Sequence, residues 1–198
     1  MLTILYFNEI INTIIKWIKY FMKIITGLAR GKSLKTLNGD STRPTTERVK
    51  EGLFSSIQFE IEGRRVLDLF AGSGQLGLEA LSRGALECDF VDSSPDAVSI
   101  IKDNVSRTGL SCARVYRSDS LLYLSKCKNK YDIVFLDPPY NSGLLSKSFN
   151  AVLNLINSGG IIVCEHPSDY LCPEVDNFRI KSYKYGAISI TIYRLTVV

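Results

Sequence analysis

At 198 residues, 45% of them hydrophobic and 22% charged, the chain has the composition of a soluble globular protein, which excludes general disorder. The length suits one well-buried domain and is short for two. The net charge of +4 is modest but uneven. Between positions 22 and 50, Lys23, Arg30, Lys32, Lys35, Arg43, Arg48 and Lys50 stand against only Asp40 and Glu47. This asymmetry points to a polyanionic partner or to a solvated basic hairpin.

Residues 1–21 carry a dense apolar helix-like face (Leu2, Leu5, Phe7, Ile10, Ile11, Ile14, Ile15, Ile18 and Phe21). Asn8, Glu9, Asn12, Thr13, Lys16 and Lys19 interrupt the ~20-residue apolar stretch that a membrane span needs. The segment also lacks the basic start and small-residue cleavage pattern of a secretory signal. Recognisable sequence begins at Met22, so 1–21 reads as a separate helix or the product of an upstream start codon, with no membrane role expected. Lys23 to Leu37, with Gly27 and Gly31, predicts a small exposed hairpin. Residues 22–42 are therefore set apart from a main domain over 43–198.

Thr42-Arg43-Pro44-Thr45-Thr46-Glu47 supplies capping hydroxyls, a first-turn Pro and an early Glu, predicting a helix to about Ile57. Strand and helix patterns then alternate: Val66–Phe70, Gln75–Arg83, Cys88–Val91, Pro95–Arg107, Ala113–Tyr116, Leu121–Lys126. Strands at Ile133–Leu136 and Ile161–Cys164 flank a helix expected from Leu144 to Ile156. Phe178–Tyr183 and Ile188–Leu195, separated by Tyr185-Gly186, predict a closing antiparallel hairpin. The alternation argues for an α/β fold, a parallel sheet with helices on both faces.

The five cysteines form no C-x-x-C pair and read as core thiols of a reducing cytosol. His166 is the only histidine, so neither a zinc site nor a Ser-His triad is expected.

Asp68-Leu69-Phe70-Ala71-Gly72-Ser73-Gly74-Gln75-Leu76-Gly77 lies between the first strand and helix of the main domain, and its glycines satisfy G-x-G-x-x-G. Asp92 ends the second of these strands, where a carboxylate can hold both hydroxyls of a ribose. These features alone fit a nicotinamide dinucleotide equally well. Each carboxylate also has a plain structural role open to it: Asp68 as a turn cap, Asp92 as a solvated strand end, Asp119 as a helix N-cap.

Asp137-Pro138-Pro139-Tyr140 follows the apolar strand Ile133–Leu136 and discriminates further. The Asp137 side chain and the Pro138 carbonyl accept hydrogen bonds without donating any, so together they can hold both hydrogens of an amino group. The prolines stiffen the backbone and Tyr140 offers a flat face to a base. The alternative is a stiff turn that closes a strand. A dinucleotide enzyme has no use for an amine pocket there, whereas S-adenosylmethionine brings an activated methyl group without needing a pyrophosphate site.

The chain from Met22 onward resembles the RsmD-like ribosomal RNA guanine-N2 methyltransferases of bacteria. The resemblance rests on Ile24-Ile25-Thr26-Gly27 with Ala29-Arg30-Gly31, Thr42-Arg43-Pro44-Thr45 with Arg48-Val49-Lys50-Glu51, the loop Leu67 to Gly74 with Leu76 to Ala80, and Phe135 to Tyr140. It implies a class I methyltransferase fold: a doubly wound, seven-stranded, mostly parallel sheet. It also implies S-adenosylmethionine as cofactor, bound by Asp68, Phe70, Gly72, Gly74, Asp92 and Asp119, the last as adenine contact. Asp137, Pro138 and Tyr140 are the catalytic candidates. Arg30, Lys32, Arg43, Thr45, Arg48 and Lys50 are the expected RNA contacts. The implied substrate is a guanine amino group of 16S ribosomal RNA in an assembled small subunit, modified by a cytoplasmic monomer without a metal. Adenine in DNA, a protein glutamine, or a non-catalytic RNA-binding role in assembly remain as alternatives. Ser118-Asp119-Ser120 departs from the family's usual Gly-Asp-Ala.

Overall fold

The computed structural model describes residues 21–37, 44–140 and 142–196. The expectations for residues 1–20 and for Thr42 and Arg43 lie outside them. A short antiparallel pair, β1 (Phe21–Lys23) and β2 (Ser33–Lys35), precedes α1 (Pro44–Ser56). There follow β3 (Arg65–Asp68), α2 (Gln75–Ser82), β4 (Glu87–Asp92), α3 (Pro95–Thr108), β5 (Ala113–Arg117), α4 (Ser120–Lys126) and β6 (Tyr131–Leu136). The chain continues through α5 (Leu144–Val152), β7 (Ile156–Pro167), β8 (Phe178–Tyr185) and β9 (Ile188–Leu195). No described helix is long and apolar enough to cross a membrane.

Strands β3 to β9 form one seven-stranded sheet in the order β5-β4-β3-β6-β7-β9-β8. The first five in that order run parallel, and β9 enters antiparallel between β7 and β8. The expected doubly wound, mostly parallel sheet with a C-terminal antiparallel hairpin is borne out. Its central strands are apolar on both faces because side chains alternate along a strand. Val66, Ile133, Phe135, Ile161 and Val163 pack on one side with Leu53, Leu78 and Ile101 of α1, α2 and α3. Leu67, Val134, Leu136, Ile162 and Cys164 pack on the other with Leu124, Phe149 and Val152 of α4 and α5.

Phe21, expected in the N-terminal extension, instead opens β1, and the largest boundary difference lies before β7. The helix predicted to reach Ile156 stops at Val152, and β7 begins at Ile156. The register on β6 shifts between Tyr131 and Ile133, and Gly159 takes φ 69° inside the strand. This irregularity breaks the period-two pattern that would have revealed the early start.

The N-terminal hairpin is fastened to the domain. Met22, Ile24, Ala29 and Leu34 are buried. The buried Glu79 carboxylate of α2 accepts the Ile25 N–H at 2.7 Å and the Thr26 N–H at 3.1 Å. Ser82 Oγ accepts the Ala29 N–H and donates to the Thr26 carbonyl. Asn104 of α3 accepts the Lys35 N–H through Oδ1, while its Nδ2 donates to the carbonyls of Lys35 and Ser73.

Helix α2 lies close over the sheet because Gly77 has no side chain. A Cβ there would stand 2.3 Å from Phe90 Cε1 and 2.6 Å from Cys88 Sγ. Gly77→Ala is expected to cost about 1–3 kcal/mol by overpacking, read as a lowered denaturation midpoint.

Candidate active site

The strand order reverses direction between β3 and β6, the point at which open α/β sheets bind ligands beyond their carboxyl ends. A crevice of about 480 Å³ opens there. It is reached by residues that follow β3 (Phe70, Gly72), β5 (Ser118, Asp119) and β6 (Asp137, Pro138, Tyr140), by the last residue of β4 (Asp92) and by Glu165 of β7. Among the described residues that line it, Asp92, Asp119, Asp137 and Glu165 are carboxylates and none is Lys, Arg or His.

The loop after β3 is shaped from within. Gly72 has φ 54°, in the left-handed region that glycine reaches at no steric cost, and no atom lies within 4 Å of where its side chain would begin. Its N–H donates to Asp92 Oδ2 at 2.8 Å, while Asp92 Oδ1 accepts the Ser94 N–H at 2.8 Å. Asp92 thus ties two loops together and lines the crevice, where a carboxylate retains lone pairs for further hydroxyls. Asp119 both lines the crevice and caps α4, its Oδ1 accepting the Leu122 N–H at 3.0 Å. For this residue the capping and ligand-facing readings coexist.

Asp68 and Gly74 do not line the crevice. Asp68 is buried beneath the loop, and its Oδ2 accepts the Gly77 N–H at 2.9 Å. Burial raises its pKa to about 7; the Gly77 hydrogen bond opposes this and the Asp92 charge adds to it. Its place is to fix the start of α2, and Gly74 serves the same turn as the left-handed residue before that helix.

Asp137 stands one residue beyond β6, whose Leu136 is in register with Cys164 of β7. That alignment carries Glu165 level with Asp137. Glu165 Oε1 accepts the Tyr140 hydroxyl at 3.2 Å. Burial raises the Glu165 carboxyl, against the Tyr140 hydrogen bond and the nearby His166, which lower it. Sequence reasoning missed Glu165. The signal available was a carboxylate ending the apolar run Ile161–Cys164, as Asp137 ends the neighbouring one.

The expected RNA contacts divide. Arg30 and Arg48 are exposed. Arg48 lines, with Glu51, Lys184 and Tyr185, a second concavity of about 670 Å³ between α1 and the β8–β9 turn. Thr45 lies in the first turn of α1. Lys32 is exposed, but its Nζ donates to the Thr108 carbonyl at the end of α3. Lys50 is a correction: it is 3% exposed, and its Nζ donates to the Lys23 carbonyl at 2.9 Å and stands 4.0 Å from Glu79. Its charge is used inside the fold, where burial lowers its pKa and Glu79 partly restores it.

His166 is buried between the Pro167 carbonyl, Thr191 Oγ1 and Cys172 Sγ. Cys88 and Cys164 are core thiols as expected, whereas Cys112 is exposed. Among the described residues no group of three or more His, Cys, Asp or Glu is placed to hold a metal ion.

The model of the family described as conserved hypothetical protein 95 matches residues 22–194. The chain belongs to that family. It is 39% identical over 181 residues to YlbH of Bacillus subtilis, covering 87% of this chain and 98% of that protein. It is 35% identical over 156 residues to ribosomal RNA small subunit methyltransferase D of Escherichia coli K12, covering 79% of this chain and 76% of the relative. The solved structure of yhhF from Escherichia coli superposes with a TM-score of 0.80 at 30% identity, covering 90% of this chain and 99% of that one. The resemblance drawn from the motifs is thereby borne out, and the fold is that of the class I methyltransferases.

Proposed function

We propose that this chain transfers a methyl group from S-adenosylmethionine to the N2 amino group of a guanine in 16S ribosomal RNA. The observation that carries the reading is the crevice itself. Among the described residues it is lined by four carboxylates and no basic side chain, which suits a ligand bearing a sulfonium and an ammonium group and disfavours the pyrophosphate of a dinucleotide. The open backbone at Gly72 and the carboxylates of Asp92 and Asp119 fit the nucleoside end of that ligand. Asp137, Pro138 and Tyr140 lie in the same crevice and fit an aromatic amine. Membership of a family with ribosomal RNA methyltransferases among its relatives supplies the substrate class.

Bound S-adenosylmethionine supplies a methyl group made electrophilic by its sulfonium. The protein's part is to deliver the nucleophile. The target base must leave its stack before its edge can react. Tyr140, 45% exposed, offers the face on which it rests. The Asp137 carboxylate and the Pro138 carbonyl each take one N–H, which fixes the amine and turns its lone pair toward the methyl carbon. With the donor bound, the amine held by these two acceptors would take the methyl group as the donor's carbon–sulfur bond breaks, and the surplus proton would pass to water. Neither acceptor has to be a strong base, since positioning supplies most of the acceleration.

Arg30 and Arg48, exposed and outside the acidic crevice, grip RNA phosphates while the base enters it, and Arg43 and Thr45 are assigned to the same RNA. The enzyme acts as a cytoplasmic monomer on an assembled small subunit.

The test supplies tritiated S-adenosylmethionine to small subunits, DNA and protein from a strain lacking the gene. Label is expected in 16S RNA and, after digestion, in N2-methylguanosine. Label in DNA adenine or in a protein glutamine would replace this reading with an amino methyltransferase of another substrate. Absence of cofactor binding in calorimetry would replace it with a non-catalytic assembly role.

A further inference from the structure

An Asp-Pro-Pro-Tyr pocket holds any aromatic amine, so it cannot by itself tell guanine from adenine. Both bases carry an exocyclic amino group next to a ring nitrogen, N2 beside N1 in guanine and N6 beside N1 in adenine. They differ in what that nitrogen offers: guanine N1 carries a hydrogen, adenine N1 a lone pair. A site that selects guanine therefore needs an acceptor one position to the side of the groups that hold the amine.

The fold places such an acceptor there. β6 and β7 are adjacent parallel strands, with Leu136 opposite Cys164. The next residue on each is a carboxylate, Asp137 and Glu165, and both line the crevice. Neighbouring strands are about 4.8 Å apart, a separation that suits two acceptors serving adjacent donors on one base edge. Asp92 ends β4 and Asp119 follows β5, both on the far side of β3, so Glu165 is the lining carboxylate next to Asp137 among the described residues. Its Oε1 accepts the Tyr140 hydroxyl, and an ionised carboxylate has about four acceptor positions, so this contact leaves capacity for another. The same hydrogen bond sets the ring of Tyr140, the plate on which the base rests.

We propose that Glu165 is the specificity-determining residue of this site: its carboxylate accepts the N1–H of guanine beside the amino group held by Asp137 and the Pro138 carbonyl. Adenine is rejected because its N1 lone pair would face a carboxylate. The inference rests on the reading that the substrate is a guanine in RNA, and it adds how that base is chosen.

The test compares two RNAs that differ only at the methylated position, one with guanosine and one with 2-aminopurine riboside. The analogue keeps the amino group and lacks the N1 hydrogen. Wild type is expected to favour guanosine in kcat/KM by on the order of 100-fold or more, since a site built to bond an N–H rejects the analogue without it. In Glu165→Gln the amide oxygen still accepts the Tyr140 hydroxyl, while its NH2 can donate to a bare ring nitrogen. That variant is expected to lower the preference at least tenfold. Tyr140→Phe, which removes the hydroxyl and keeps the stacking ring, is expected to lose rate and retain the preference.

If Glu165→Gln slows both RNAs equally, Glu165 acts only through Tyr140 and the inference falls. Equal use of the two RNAs by wild type also overturns it, whether or not the variant folds. A wild-type enzyme that labels neither RNA overturns the guanine reading, and this inference with it.

Discussion

Asp137→Ala is expected to lower kcat for methyl transfer about 10³-fold or more, as loss of a preorganised charged group at the reacting centre does elsewhere, with little change in the Kd for S-adenosylmethionine. Asp137 follows a strand whose residues Ile133 to Leu136 are fully packed, so the carboxylate is held by a rigid element. Its removal leaves the amine with one acceptor, the Pro138 carbonyl, and free to rotate its lone pair back into the ring. The loops at Gly72, Asp92 and Asp119 do not depend on it, since their own hydrogen bonds define them. Single-turnover kinetics and calorimetry separate the two effects. A variant that keeps a tenth of wild-type turnover would remove Asp137 from the mechanism.

Glu79→Ala is expected to have the largest effect on stability, about 3–5 kcal/mol, the usual cost of stripping one partner from a buried ionic cluster. Glu79 is 0% exposed and accepts the Ile25 and Thr26 N–H groups and Arg83 Nε at 2.8 Å, with buried Lys50 at 4.0 Å. Alanine leaves two amide donors and two cations without the carboxylate that pairs with them. Equilibrium denaturation reads the loss. Limited proteolysis should show the first cleavage moving to residues 24–32, and a midpoint unchanged from wild type would refute the account.

Much of the fold was legible because the central strands carry unbroken apolar runs and the helices between them have clear starts. The carboxylates at 92, 119 and 137 were legible because each follows a predicted strand at the end where open α/β sheets bind ligands. The failures have a common physical origin. Whether a basic or acidic side chain points out or in depends on partners far away in sequence. Lys50 and Glu79 look like ordinary helix-surface residues until the hairpin closes over them. Asp68, at the end of its strand like Asp92, turns beneath the loop because the Gly77 N–H waits there. Asp89 reads as a break in an apolar strand and is instead a buried acceptor for Tyr131, Tyr123 and Arg114. Glu165 is visible only when β6 and β7 are laid side by side, an arrangement that no local pattern states.

The Asn104 amide joins two parts of the fold. One planar group binds β2 through Lys35 and the cofactor loop through the Ser73 carbonyl. Asn104 is therefore a direct link from the hairpin to the loop that follows Asp68, beside the route through Glu79 and Ser82 of α2. By reciprocity, whatever free energy a tightened hairpin adds to the hold on the methyl donor, the donor must return in equal amount to the hairpin. The expected result is slower amide exchange at Lys35 when the donor binds, and unchanged exchange would show that the link carries no coupling.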